Sequence, residues 1–376
     1  MLKNLSINKN KVINTLLFVV ILIFLTRVVY NIYNEGSDFD IPYTLSKLFY
    51  QKIDIFQDLS RNPLYPHSLY FFFGPFTLFS LETAKIIFFF LNIFLLINLI
   101  LYFKKIFQLN TNEVKIIFLI AFTATPFTNL LAIGNLSLLI FSSLVYYYYS
   151  KPKLSKVLFL LISFFKYNIS FIFIFYAFIN KEYKVLIYFG LINLLFAICF
   201  YLYLDNFSVE RLMEPYALAL ELIRGSGEVN NISKSFFSIQ SILIYFNLNS
   251  FYSLFFFISL VLIFLLYKKL EIESHTKLVS LFLISSLLVY HGMYEFIILL
   301  PFFVYVLKNR KIISYANFHF FSIFFIFYFF KINKTIFKNF ISDEIMSIAG
   351  CFFLICSFII LITINSKELI EINKKN

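Results

Sequence analysis

Apolar stretches alternate with short polar intervals along nearly the whole chain, and several stretches reach the roughly 17–25 residues needed to cross a bilayer as a helix. The first runs from Val12 to Ile32. After the polar interval 34–66 comes Ser68–Ser80, an apolar piece too short to cross and carrying Gly74-Pro75, which reads as a juxtamembrane helix. Leu81–Phe103, Val114–Leu131 (with Pro126 inside it) and Leu136–Tyr149 follow. Val157–Asn180 has Lys166 at its middle, and the pattern predicts two short helices meeting there. Val185–Leu204 leads to a second polar interval, then come Ser238–Phe246, Phe251–Tyr267, Leu278–Tyr290, Phe296–Leu307, Ile312–Phe330 and Met346–Ile364. The expectation is an all-α, polytopic transmembrane bundle of about 12 spans, some of them short or broken.

Composition narrows the class. The chain of 376 residues is 61% hydrophobic and 22% aromatic but only 14% charged, against about a quarter charged in soluble domains. A net charge of +12 would suggest nucleic acid for a soluble protein. Here Lys and Arg concentrate at alternate ends of the apolar runs, which predicts both termini on the cytoplasmic side and no nucleic-acid partner. Cys199, Cys351 and Cys356 all lie inside apolar runs and form no metal or disulfide pattern. The chain reads as one integral-membrane domain over 1–376, with a first extracytoplasmic loop at 34–80 and a second at 205–250.

The first loop holds Glu35, Asp38, Asp40, Asp54 and Asp58. Carboxylates at the mouth of a membrane bundle are costly to place and point to function. Lys166 poses the same question from inside an apolar run, where snorkelling is the bland alternative. Arg27, near the end of the first run, has the same two readings. Arg211 and Arg224 lie among acids, where surface pairing is the default.

Several short stretches, in order, resemble the GT-C membrane glycosyltransferases, and more narrowly glycosyltransferase family 87, the polyprenyl-phosphate-mannose-dependent type. They are Ser37-Asp38-Phe39-Asp40-Ile41-Pro42-Tyr43 after the first helix, Tyr65-Pro66-His67 with the later Pro75, and the turn Gly134-Asn135. Lys166 follows between two half-helices, then Asn231-Ile232-Ser233 or the nearby Lys234-Ser235, and finally His291 with Tyr294 before Leu299-Leu300-Pro301. The resemblance implies a GT-C-like fold at the plasma membrane and transfer of a hexose, mannose by default, from a polyprenyl-phosphate sugar to a glycan or glycolipid acceptor. His67 stands where the family has a second proline and Asn135 where it has a glutamine.

On that reading Asp38 is the catalytic base, with Asp40 in reserve. Lys166 and His291 meet the donor phosphate, and Tyr65, His67, Asn135 and Tyr294 line the substrate site. The chemistry asks for a carboxylate to take the acceptor proton and for cations or donors where charge develops on the departing phosphate. No residue pattern calls for a metal or cofactor. The rival expectations are an O-antigen-type polysaccharide polymerase and a lipid or polysaccharide transporter.

Overall fold

A computed structural model describes residues 9–32, 38–57, 65–218, 238–248, 253–254, 256–261, 273–288, 293–336 and 341–365. Among them every regular element is helical and none is a strand. The α-helices, in chain order, are α1 (Lys9–Ile32), α2 (Asp40–Tyr50), α3 (His67–Phe73), α4 (Leu81–Ile106), α5 (Thr111–Thr123), α6 (Thr125–Ile133), α7 (Ser137–Tyr149), α8 (Lys153–Ser163), α9 (Tyr167–Ile179), α10 (Tyr183–Tyr203), α11 (Ile239–Tyr245), α12 (Ser274–Leu288), α13 (Leu300–Asn309), α14 (Ala316–Phe324), α15 (Phe330–Thr335) and α16 (Asp343–Ile360).

Three described helical stretches are long and apolar enough to cross a membrane: Leu81–Ile106, Tyr183–Tyr203 and Asp343–Ile364. A fourth crossing results if α5 and α6 count together, although they meet at 65°. Among the described residues many of the other apolar runs fold as pieces of 9–15 residues, the short or broken kind. The stretch 114–131, read above as one run, is the clearest case. Ala124 turns to extended backbone (ψ 139°) and Pro126 sits in the first turn of α6. A proline there has no N–H to continue the helix behind it and its ring crowds the preceding turn, so the chain restarts in a new direction.

The break at Lys166 has a different cause. α8 ends in a 3-10 turn over Phe164–Lys166, and α9 restarts at Tyr167. Freed carbonyls buried in an apolar core need donors. Ser170 supplies one, its hydroxyl donating to the carbonyl of Ser163 and, at 3.2 Å, to that of Lys166. Ser163 donates back to Leu160 at 2.8 Å.

One contiguous apolar core runs from Phe39 to Leu361. A smaller cluster of Leu45, Phe49, Ile55, Phe56, Tyr70, Phe200 and Tyr201 packs α2 and α3 against the end of α10. Phe49 and Phe200 stack there, with ring centroids 4.4 Å apart and planes 7° from parallel. The short, apolar α3 is pinned by Tyr70 against Phe200 and by Phe71 against Phe49, with ring centroids 5.7 and 5.3 Å apart, and the Tyr43 hydroxyl ties α2 to the Phe79 carbonyl at 2.8 Å. Two layers of packing therefore hold the loop that carries the acids.

Candidate functional site

Four of the expected residues meet a common surface. Asp38, half-buried in the turn before α2, accepts a hydrogen bond from Asn135 Nδ2 at 2.5 Å across 97 residues of sequence. The amide oxygen of Asn135 is used as well, accepting from the Ser137 backbone N–H at 2.8 Å and from its hydroxyl at 2.5 Å. Lys166 Nζ reaches Ser137 Oγ at 3.4 Å and pairs with Glu295. Asp38 and Tyr65 both lie within electrostatic reach of Lys166. The result is a polar run of Asp38, Asn135, Ser137, Lys166 and Glu295 through an otherwise apolar core.

The local sequence explains the position of Asn135. α6 ends at Gly134 in the left-handed region, φ +66°, where a residue with a Cβ is strained. The turn closes with the Asn135 N–H bonded back to Leu130 at 3.1 Å, a helix end of the Schellman kind. Gly134 also lies directly against the acid loop: a Cβ there would come 3.0 Å from the Cβ of Phe39. A glycine satisfies both the turn and the approach, and so delivers the neighbouring amide to Asp38.

Asp40 has a different environment. It opens α2 and pairs with Lys85 at 2.8 Å, the lysine being 8% exposed and the aspartate 22%. Asp40 is thus neutralised by a buried cation, while Asp38 receives a neutral amide.

His67 lies apart from the polar run. It is 1% exposed, boxed by the rings of Phe56, Phe200 and Tyr201 at centroid distances of 5.5, 5.0 and 5.1 Å. Its Nε2 is buried without a hydrogen-bond partner among the described residues. Burial, with the charge of Arg211 as the second cause, pushes the imidazole down to about 3, so it is neutral at physiological pH. Arg211, expected to make ordinary surface pairs, instead closes a partly buried clamp. It bonds Asp54 at 2.6 Å and Glu214 at 2.9 Å, and its guanidinium lies 4.7 Å over the Tyr201 ring. Asn206 also donates to Asp54 at 2.7 Å.

Tyr65 is half-buried between the two apolar clusters. His291 and the side chains of Arg27 and Tyr294 lie outside the described residues, as do Arg224 and Asn231-Ile232-Ser233.

Three members of these constellations escape a reading of the sequence. Glu295 sits at the end of the polar stretch His291-Gly292-Met293-Tyr294-Glu295, which reads as an exposed turn. It is instead 3% exposed, within a 3-10 helix over Met293–Leu299. The signal that could have found it is charge balance, since a lysine buried near it needs an acid. Ser137 looks like a small polar residue in a turn, and Lys85 like the ordinary basic end of a span. Among the described residues no three His, Cys, Asp or Glu side chains converge as a ligand set.

Among protein families, curated proteins and solved structures, none matches this chain.

Proposed function

We propose that this protein is a membrane glycosyltransferase that moves a hexose from a polyprenyl-phosphate sugar to a hydroxyl of a glycan or glycolipid acceptor. The observation that carries the proposal is the link from Asp38 through Asn135 and Ser137 to Lys166. It joins a carboxylate able to accept a proton to a cation able to face a departing phosphate, the two charges that such a transfer needs on either side of the sugar.

In this mechanism Asp38 takes the acceptor proton as the hydroxyl attacks the anomeric carbon from the side opposite the phosphate. The sugar passes through a transition state with oxocarbenium character. Asn135 engages one carboxylate oxygen and fixes the orientation of the other. Asp38 takes this role and not Asp40, because Asp40 is engaged in an ion pair with the buried ammonium of Lys85. Lys166 stabilises the negative charge that grows on the leaving lipid phosphate, with Tyr65 beside it. The apolar core around the site excludes the water that would otherwise compete as acceptor. The plasma membrane is the proposed location, with the acid loop on the extracytoplasmic face and both termini in the cytoplasm.

The test is sugar transfer by membranes supplied with radiolabelled polyprenyl-phosphate hexoses, comparing wild type with Asp38→Asn. A loss of about 100- to 10,000-fold in the folded variant is the scale of a missing general base. Wild-type membranes that transfer nothing from any lipid-phosphate hexose would overturn the proposal. The buried Lys166–Glu295 pair favours a second reading as a transporter, since opposite charges at membrane depth commonly mark a solute path. Flux of a labelled lipid-linked sugar without bond cleavage would select that reading.

A further inference from the structure

We infer that Glu295 is an internal stand-in for the substrate phosphate: it pairs with the charge of Lys166 and must yield it when a lipid phosphate arrives. The inference rests on the proposal that Lys166 meets such a phosphate, and adds to it the residue that sets how tightly the phosphate is held.

The argument starts from charge. Lys166 cannot remain an unpaired ammonium at this depth without a large desolvation cost. Glu295 supplies the missing anion and is itself almost wholly buried, its side chain 4% exposed. Asp38 is a second carboxylate within electrostatic reach of Lys166. One ammonium within reach of two carboxylates does not balance both, and an incoming phosphate would meet repulsion. Only if the Lys166–Glu295 pair opens does the ammonium become available, with Asp38 retained for the acceptor.

The elements involved can accommodate such an exchange. Lys166 stands at the 3-10 break between α8 and α9, not within a continuous helix. Glu295 stands in a 3-10 helix, whose hydrogen bonds are of poorer geometry than those of an α-helix. Both partners are thus on backbone that can adjust without unwinding a long span. The Ser137 hydroxyl, 3.4 Å from Nζ, offers the lysine a neutral contact while it changes partner. Glu295 is a positioning residue here, acting through Lys166.

The experiment uses the purified full chain in nanodiscs and two probes that share a tail, farnesyl phosphate and farnesol. Wild type is expected to prefer the phosphate. Glu295→Gln removes the competing anion and should tighten farnesyl phosphate by about tenfold or more while leaving farnesol unchanged. Lys166→Gln should abolish the preference. If Glu295→Gln does not fold, Glu295→Asp retracts the carboxylate by one methylene and should tighten the phosphate probe by a smaller factor. A purely structural glutamate would not alter phosphate-over-alcohol selectivity.

Unchanged or weaker phosphate binding in the folded Glu295 variant overturns the inference, as does wild-type selectivity in Lys166→Gln. Selectivity absent from wild type and Glu295 variants alike removes both the inference and the lipid-phosphate reading beneath it. The expected pattern without any sugar transfer leaves the counter-ion role standing and removes only the transferase.

Discussion

Asn135 holds Asp38 across 97 residues with a 2.5 Å hydrogen bond from its side-chain amide. It is oriented for that by its own second contact, since its carbonyl is already committed to Ser137. The amide therefore cannot flip without losing partners at both ends. A hydrogen bond to a charged group is worth about 1.5–3 kcal/mol. Asn135→Ala should lower the proposed sugar transfer by roughly ten- to 100-fold on that scale, and should lower the melting temperature too, because Asp38 and Ser137 lose their buried partner. Equal activity in wild type and variant would show that Asp38 needs no such support.

Gly134 makes a separate prediction, about the backbone beneath that amide. Alanine there would hold φ near +66°, a conformation that costs an L-residue about 1–2 kcal/mol. Its Cβ would also press on Phe39 at 3.0 Å. Gly134→Ala should therefore lower thermal stability and transfer together, whereas Asn135→Ala should cost more transfer for the same loss of stability. Melting curves and transfer rates of the two variants, compared in one detergent, separate the strain from the lost hydrogen bond.

The contrast between these residues marks what a sequence can reveal. Gly134-Asn135 announces a turn, and a lysine inside FLLISFFKYNISFIFIF announces a break or a polar cavity, because both are local conflicts with a lipid-spanning helix. Pro126 carries the same kind of signal, and there the chain bends instead of running straight through. The pairing of Asp38 with Asn135, of Asp40 with Lys85 and of Lys166 with Glu295 has no local signature. Each depends on which helices pack together, and alternation of apolar and polar residues does not encode that. Glu295 escapes notice for this reason: the residues before it look like a turn, and only its distant partner explains its burial. The number of full crossings is not legible for the opposite reason, since apolarity reports burial in lipid and burial in protein alike, and among the described residues three helices are long and apolar enough to cross.

His67 gives the protein a defined sensitivity to acid. An imidazole in the unfolded chain takes up its proton near pH 6.5, whereas burial and Arg211 delay this to about 3 in the folded one. Between those values the unfolded chain binds more protons, so stability falls as pH drops, by about 1.4 kcal/mol for each unit below 6.5 from this group. Above pH 6.5 the penalty is absent. His67→Phe keeps an aromatic ring in the box formed by Phe56, Phe200 and Tyr201 and removes the titration. Its melting temperature should decline less steeply than that of wild type between pH 6.5 and 4.5. Parallel curves would assign the acid response to other groups.

Two ion pairs of the same protein should respond in opposite ways to the loss of a charge. Lys52 and Asp205 meet at 2.8 Å but are 58% and 76% exposed, so water replaces either partner and Lys52→Ala should leave stability unchanged within error. Lys166 and Glu295 are only 17% and 4% exposed. Removing one partner there leaves the other charge buried without its ion-pair partner, at a cost of about 3–5 kcal/mol. Lys166→Met and Glu295→Gln should each destabilise by that order. The double variant removes both charges of the pair, so it should be markedly more stable than the sum of the two predicts. A double-mutant cycle from unfolding curves measures this coupling directly. A large favourable coupling identifies a pair in which each residue exists to compensate the other. Additive losses would mean instead that Lys166 and Glu295 are each held by their separate surroundings.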